Sequence, residues 1–184
     1  MNAAERGATR GGHEVTVLDL YDAGFDPVMS RAERAAYHTD TPILDPLARR
    51  YADLVLSHDV LVFVYPTWWG SLPAMLKGWL EKVMVQGVAF RLENGRVRPG
   101  LGHVRRIVGI STYGSSWWVT KVMNDGGRRT LTRALRMSAG RKAATTWIGS
   151  YSIDTGGAAD RAAFLDRVEH TMAHLRAGRD GAHS

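Results

Sequence analysis

Short apolar runs alternate along the chain with longer stretches whose apolar residues recur every three or four positions. Glu14–Leu20 is a β-rich run closed by Tyr21-Asp22-Ala23-Gly24, and predicts a strand. Ser30 and Glu33 stand at capping-box spacing and predict a helix start. Ile43, Leu44, Leu47, Tyr51, Leu54 and Val55 follow a helical period. Asp59–Tyr65 is continuously apolar after its first residue, which predicts a strand covered on both faces. The clearest helix begins after Ser71: Leu72, Met75, Leu76, Trp79, Leu80, Val83 and Met84 form one stripe, Pro73 suits a first turn, and Gly87 marks the end. Asn94-Gly95 predicts a hairpin between Val88–Leu92 and Val97. Arg106–Ser111 predicts a further strand, followed by helix to about Met137 and a strand over Ala143–Ile148. The last helix carries Phe164, Leu165, Val168, Met172 and Leu175 on one face.

Strand–helix alternation of this kind implies an α/β fold, an open parallel sheet with helices on both faces. We expect one domain over residues 1–177 and a disordered tail over 178–184. The 184 residues suit a single core, and 45% apolar with 23% charged residues is ordinary globular composition. Cysteine is absent, which excludes disulfide scaffolds, thiolate metal sites and cysteine nucleophiles. No signal peptide or membrane-spanning stretch is visible, so the expected location is cytoplasmic. Basic residues number 24 against 18 acidic, a net charge of +6 that admits an anionic partner.

In an open α/β sheet, ligands bind beyond the carboxyl ends of the strands. Two loops there are unusual. Pro66–Ser71 holds Trp68 and Trp69 on a strand-to-helix turn, and Thr112–Ser116 is small, hydroxyl-rich and followed by Trp117-Trp118. Five of six tryptophans, Trp79 included, lie in these loops or just after them. Flat rings beside exposed backbone N–H groups can make a slot for a planar heteroaromatic ligand. The plainer reading is that such rings fill core or a dimer interface.

The stretch Tyr65-Pro66-Thr67-Trp68-Trp69-Gly70-Ser71-Leu72-Pro73-Ala74-Met75-Leu76-Lys77-Gly78-Trp79-Leu80-Glu81-Lys82-Val83 resembles the hallmark of the flavodoxin-like NAD(P)H:quinone oxidoreductases. That family includes DT-diaphorase, the modulator-of-drug-activity reductases and the flavoproteins ancillary to potassium efflux. Further similarity runs through Gly12–Val15, Asp19–Tyr21, Phe25–Pro27, Arg105–Gly114 and Tyr151–Asp154, nearly the whole chain. The resemblance implies FMN or FAD as cofactor, NAD(P)H as hydride donor, and a quinone or similar acceptor served in a ping-pong sequence. By position it implicates Pro66, Thr67, Trp68, Trp69 and Gly70 along the flavin ring and at its N5–O4 edge. Thr112, Tyr113, Gly114 and Ser115 fall at the N1–O2 edge, with Tyr113 the candidate proton donor. It further implies a homodimer, with Trp117, Trp118 and the Phe90–Pro99 hairpin as candidate contacts.

Two departures stand out. Ser116–Lys121 holds no histidine where the family places a proton-transfer pair, and the family's first strand and phosphate loop have no counterpart before Glu14. The expectation is therefore a sheet whose first strand is missing, through a misplaced start, truncation or gene decay, with unpaired ladder edges and exposed apolar surface. A non-catalytic regulatory subunit of the potassium-efflux type and an N-terminally truncated, inactive product are the alternatives to an enzyme. Weaker motifs add little. The basic run Arg128, Arg129, Arg133, Arg136, Arg141, Lys142 suits a solvated helix face or the phosphate of NADPH better than nucleic acid. His170 and His174 lack the HExxH order and a third ligand, so no metal is expected. No G-x-S-x-G elbow occurs.

Overall fold

The computed structural model describes residues 1–176, and the expected tail at 178–184 lies outside them. Three parallel strands form the sheet in the order β1 (Val60–Pro66), β4 (Arg106–Thr112), β5 (Ala144–Ser150). Helices α1 (Asn2–Arg10) and α8 (Ala158–Ala173) cover one face, joining Ala3, Ala4, Ala8, Val168 and Met172 to Val108, Ile110 and Ile148. The other face meets α3 (Pro46–Ser57) and α4 (Ala74–Val83), where Tyr51, Val55, Leu76, Trp79 and Val83 close over Leu61, Phe63 and Ile107. Trp79 is therefore a core residue, set edge-on to Phe63. The hairpin β2 (Phe90–Glu93) and β3 (Arg96–Pro99) turns on Asn94-Gly95, both at positive φ. That is the backbone a two-residue primed turn requires.

Four expectations need correction. Glu14–Leu20 is extended but joins no ladder among the described residues. A strand exists only through its partner; here Leu18 and Leu20 rest on the core, and the Thr16 hydroxyl reaches the His58 ring at 3.2 Å. β1 is not covered on both faces: Val62 is 37% and Val64 42% exposed on the side where α1 and α8 serve β4 and β5. The single helix expected to Met137 is broken into α5 (Trp117–Val122), α6 (Gly126–Arg129), a wider π-type stretch (Thr130–Leu135) and α7 (Arg136–Ala139). Asn124 and Asp125 take positive φ at the first break, a conformation their side chains tolerate. In the π stretch the Thr130 and Thr132 hydroxyls donate to the carbonyls four residues back, a pattern that loosens a helical ladder. On α8, finally, Leu165 is exposed rather than part of the packed stripe.

The loop from Phe25 to Asp45 is anchored by one buried cation. α2 (Arg31–Ala36) starts with the reciprocal Ser30–Glu33 capping box. Glu33 then pairs with Lys82 of α4 at 3.0 Å, and Asp45, which caps α3, pairs with it at 3.2 Å. Lys82 also donates to the Asp26 carbonyl and sits over the Phe25 ring. Gly78, one turn earlier, allows this approach: a Cβ there would lie 2.2 Å from the Pro27 carbonyl oxygen. Burial would push both carboxyls up, but hydrogen bonds from Ser30 and Lys82 hold Glu33 below its ordinary 4.5, and those from Lys82, Leu47 and Ala48 hold Asp45 below 3.8. Both groups bind protons more readily when unfolded. Their stabilisation is thus full above those ordinary values and is lost as pH falls through the lower folded ones. Urea midpoints measured from pH 6 to 3 should fall steeply on the acid side. In Glu33→Gln the limb should be shallower, and an unchanged slope would contradict this assignment.

Candidate functional site

β1 and β4 run in register to their carboxyl ends, where Pro66 faces Thr112, and the two unusual loops leave from these neighbouring points. The Thr67 N–H donates to the Thr112 carbonyl at 2.8 Å, extending the ladder by one bond. The Ser111 hydroxyl donates to the Tyr65 carbonyl at 2.9 Å, so at 2.8 Å from Thr67 it must accept that residue's hydroxyl proton. The loops are latched to each other before either diverges.

In the first loop, Trp68 and Ser71 exchange backbone hydrogen bonds of 3.2 and 2.9 Å. Trp69 and Gly70 fill the centre of this turn at φ 49° and 67°. Glycine takes that conformation freely, whereas Trp69 is held there at a cost, and its side chain is 98% exposed. The N–H groups of Trp69 and Gly70 have no partner among the described residues. The second loop is pinned by Tyr113 N–H to Ser150 O, Ser152 N–H to Ser115 O and Ile153 N–H to Tyr113 O. Ser116 then caps α5. The N–H groups of Gly114 and Ser115 are likewise unpartnered among the described residues. Among the described residues, four free amide donors, those of Trp69, Gly70, Gly114 and Ser115, thus lie within Pro66–Gly70 and Thr112–Ser115 at adjoining strand ends.

A third element braces the first loop. The Gly126 N–H donates to the Gly70 carbonyl at 2.8 Å, and the Met123 methyl lies beside Gly70. Trp117 and Trp118 meet edge to face, share the Lys121 ammonium, and are exposed together with Trp68, Val122 and Met123.

Tyr113 is not at this surface. It is 2% exposed, its ring stacks on Tyr151 at 4.6 Å, and its hydroxyl donates to Asp125 at 3.0 Å. Burial first, then the Asp125 charge, push both Tyr113 and Tyr65 far above the usual phenol range. With hydroxyl and N–H both committed, Tyr113 props the loop and has no geometric basis as a proton donor. Among the remaining candidates, Pro66, Thr67, Trp68, Trp69, Gly70, Thr112, Gly114 and Ser115 are brought together at the two strand ends. Sequence reasoning passed over Ser111, Met123 and Asp125. The tripeptide Asp125-Gly126-Gly127, a cap followed by two small residues, was the available signal. His170 and His174 stack at 4.2 Å, and their neighbour Glu169 is held by Arg6 and Arg10. Among the described residues no three metal-ligating side chains cluster.

Comparison with known proteins agrees with this architecture. A family model described as the flavodoxin-like fold matches residues 1–171, and the chain belongs to that family. An uncharacterized NAD(P)H oxidoreductase of Haemophilus influenzae is 31% identical over 134 residues, 73% of this chain and 64% of that protein. NAD(P)H dehydrogenase [quinone] 1 of Cavia porcellus is 30% identical over 128 residues, covering 61% of this chain and 46% of the relative. The chain thus spans roughly half to two thirds of these relatives' length. Among solved structures, the NAD(P)H:quinone oxidoreductase of Methanothermobacter marburgensis superposes with a TM-score of 0.77 over 95% of this chain and 86% of its own, at 22% identity.

Proposed function

We propose that the loops Pro66–Gly70 and Thr112–Ser115 hold the isoalloxazine of FMN or FAD, and that the protein is a flavin-dependent NAD(P)H:quinone oxidoreductase. The observation that carries this reading is the set of four unpartnered amide donors on two latched loops. A flavin edge presents acceptors at N5–O4 and N1–O2, and unspent N–H groups at fixed positions match such a donor-poor rim. Trp69 and Gly70 serve the first edge, Gly114 and Ser115 the second. Donors at the second edge stabilise the negative charge that builds there on reduction and so raise the driving force for it. A flavin held there would supply the two-electron chemistry that links NAD(P)H oxidation to quinone reduction. The exposed Trp68 and Trp69 offer apolar wall for these planar partners, which exchange at one place in a ping-pong sequence. The name of the Haemophilus relative supports the donor class, and that of the Cavia porcellus relative supports donor and acceptor classes.

The same reading places the protein in the cytoplasm; among the described residues no helix is long and apolar enough to cross a membrane. It also takes the exposed Trp117 and Trp118, with Leu92 and Val97 of the hairpin, as the contact surface of a homodimer that walls the site. Titration of the protein with FMN and with FAD tests the binding step. Saturable quenching of tryptophan fluorescence at one flavin per chain is expected, because four of the six indoles border the loops. Quenching that never saturates would count against the site.

A further inference from the structure

A cavity of about 340 Å³ opens at the outer edge of β5, apart from the two loops, between α6 and α8. Arg128 reaches it from α6, laid over the Trp147 ring at 5.7 Å. Arg167 reaches it from α8, laid over Phe164 and donating to the Gly149 carbonyl at 2.6 Å. Neither Arg128 nor Arg167 pairs with a carboxylate among the described residues. The Tyr151 hydroxyl at the cavity wall feels the Asp125 carboxylate and, opposing it, both guanidiniums. Asp125, the acid facing Tyr151 from the other side, spends its oxygens on the Tyr113 hydroxyl and the Arg128 backbone N–H. Among the described residues neither the Arg128 guanidinium nor the Thr171 hydroxyl on the same wall makes a hydrogen bond.

We propose that the Arg128–Arg167 cavity at the edge of β5 binds the phosphate monoester group of a small metabolite. The wall carries four donor groups, two guanidiniums, the Tyr151 phenol and the Thr171 hydroxyl, and the Gly149 carbonyl beside them is engaged by Arg167. Such a wall selects an acceptor-only ligand carrying negative charge. The two guanidiniums come from different elements, α6 and α8, and so can meet a multi-oxygen anion from separate directions. The volume stands at the small end of ligand pockets, enough for a phosphate with a compact organic body beside Trp147 and Tyr151.

Calorimetric titration of the full chain with inorganic phosphate, adenosine monophosphate and adenosine separates the sources. Adenosine should not bind. If adenosine monophosphate binds clearly more tightly than phosphate, the ligand is a nucleotide-sized ester; if the two bind alike, the phosphate group alone is recognised. In either case Arg128→Gln should weaken binding about tenfold or more, the worth of a charge-assisted contact. Arg50→Gln on the exposed side of α3 should leave it unchanged. Arg128→Gln is the deciding variant because its guanidinium makes no hydrogen bond or ion pair among the described residues, so only its contact with the Trp147 ring is lost and the melting curve should stay close to that of the parent. Arg167→Gln should weaken binding as well. Absence of saturable binding by both phosphates, or binding indifferent to both cavity arginines, overturns the proposal.

Discussion

Replacing Lys82 by alanine is expected to remove about 3–5 kcal/mol of stability, a large part of what a domain of this size holds. The side chain is nearly sealed from solvent between Glu33 and Asp45, and both carboxylates are themselves largely covered. Deleting the cation takes their shared donor from Glu33 Oε1, Asp45 Oδ2 and the Asp26 carbonyl and leaves two carboxylates close together without a compensating charge. It also frees the segment from Phe25 to Asp45 from α4. The loss is therefore the desolvation cost of stranded partners rather than the worth of the pairs. The triple change Lys82→Met, Glu33→Gln, Asp45→Asn tests that distinction. Removing the charges together should recover much of the stability lost in Lys82→Ala, as measured by urea unfolding. A triple variant weaker than the single one would show that the pairs are favourable in themselves.

Gly70→Val should cut flavin affinity by about tenfold or more while costing only about 1–2 kcal/mol of stability. At φ 67° a β-branched residue is strained whatever the space around it, and here the Met123 methyl lies 3.2 Å from the new Cβ. The turn must reshape, which moves the Trp69 and Gly70 N–H groups together. The two readouts should part company: a large change in the flavin titration against a modest change in the unfolding midpoint. Loss of stability with unaltered affinity would place the flavin elsewhere.

Features encoded within a few residues were legible in the sequence. The Ser30–Glu33 box, the Asn94-Gly95 turn and the apolar stripe of α4 each depend on neighbours in the chain, and each stands as expected. So do the positions of the two loops, because a strand ending in Gly- and Ser-bearing turns announces its own end. Features that depend on distant partners were not legible. Glu14–Leu20 has strand composition, yet only a neighbouring ladder makes a strand. Val62 and Val64 look like core in sequence, and only the placement of α1 and α8 over the other strands exposes them. Lys82 looks like one more surface cation on an amphipathic helix, because its two acids come from 49 and 37 positions away in the chain. Tyr113 sits in the expected loop, but which way its ring turns is decided by Tyr151 and Asp125.

The proposed flavin between the two loops would cycle between a nicotinamide donor and a quinone. An anaerobic stopped-flow experiment on the flavin-loaded protein tests it most directly. Mixing with NADPH or NADH should bleach the visible flavin band in one kinetic phase, and a second mixing with a quinone should restore it. Parallel initial-rate lines in steady state would accompany this, as a ping-pong sequence requires. A protein that binds flavin through these loops but keeps its colour in excess NADPH and NADH would contradict the account.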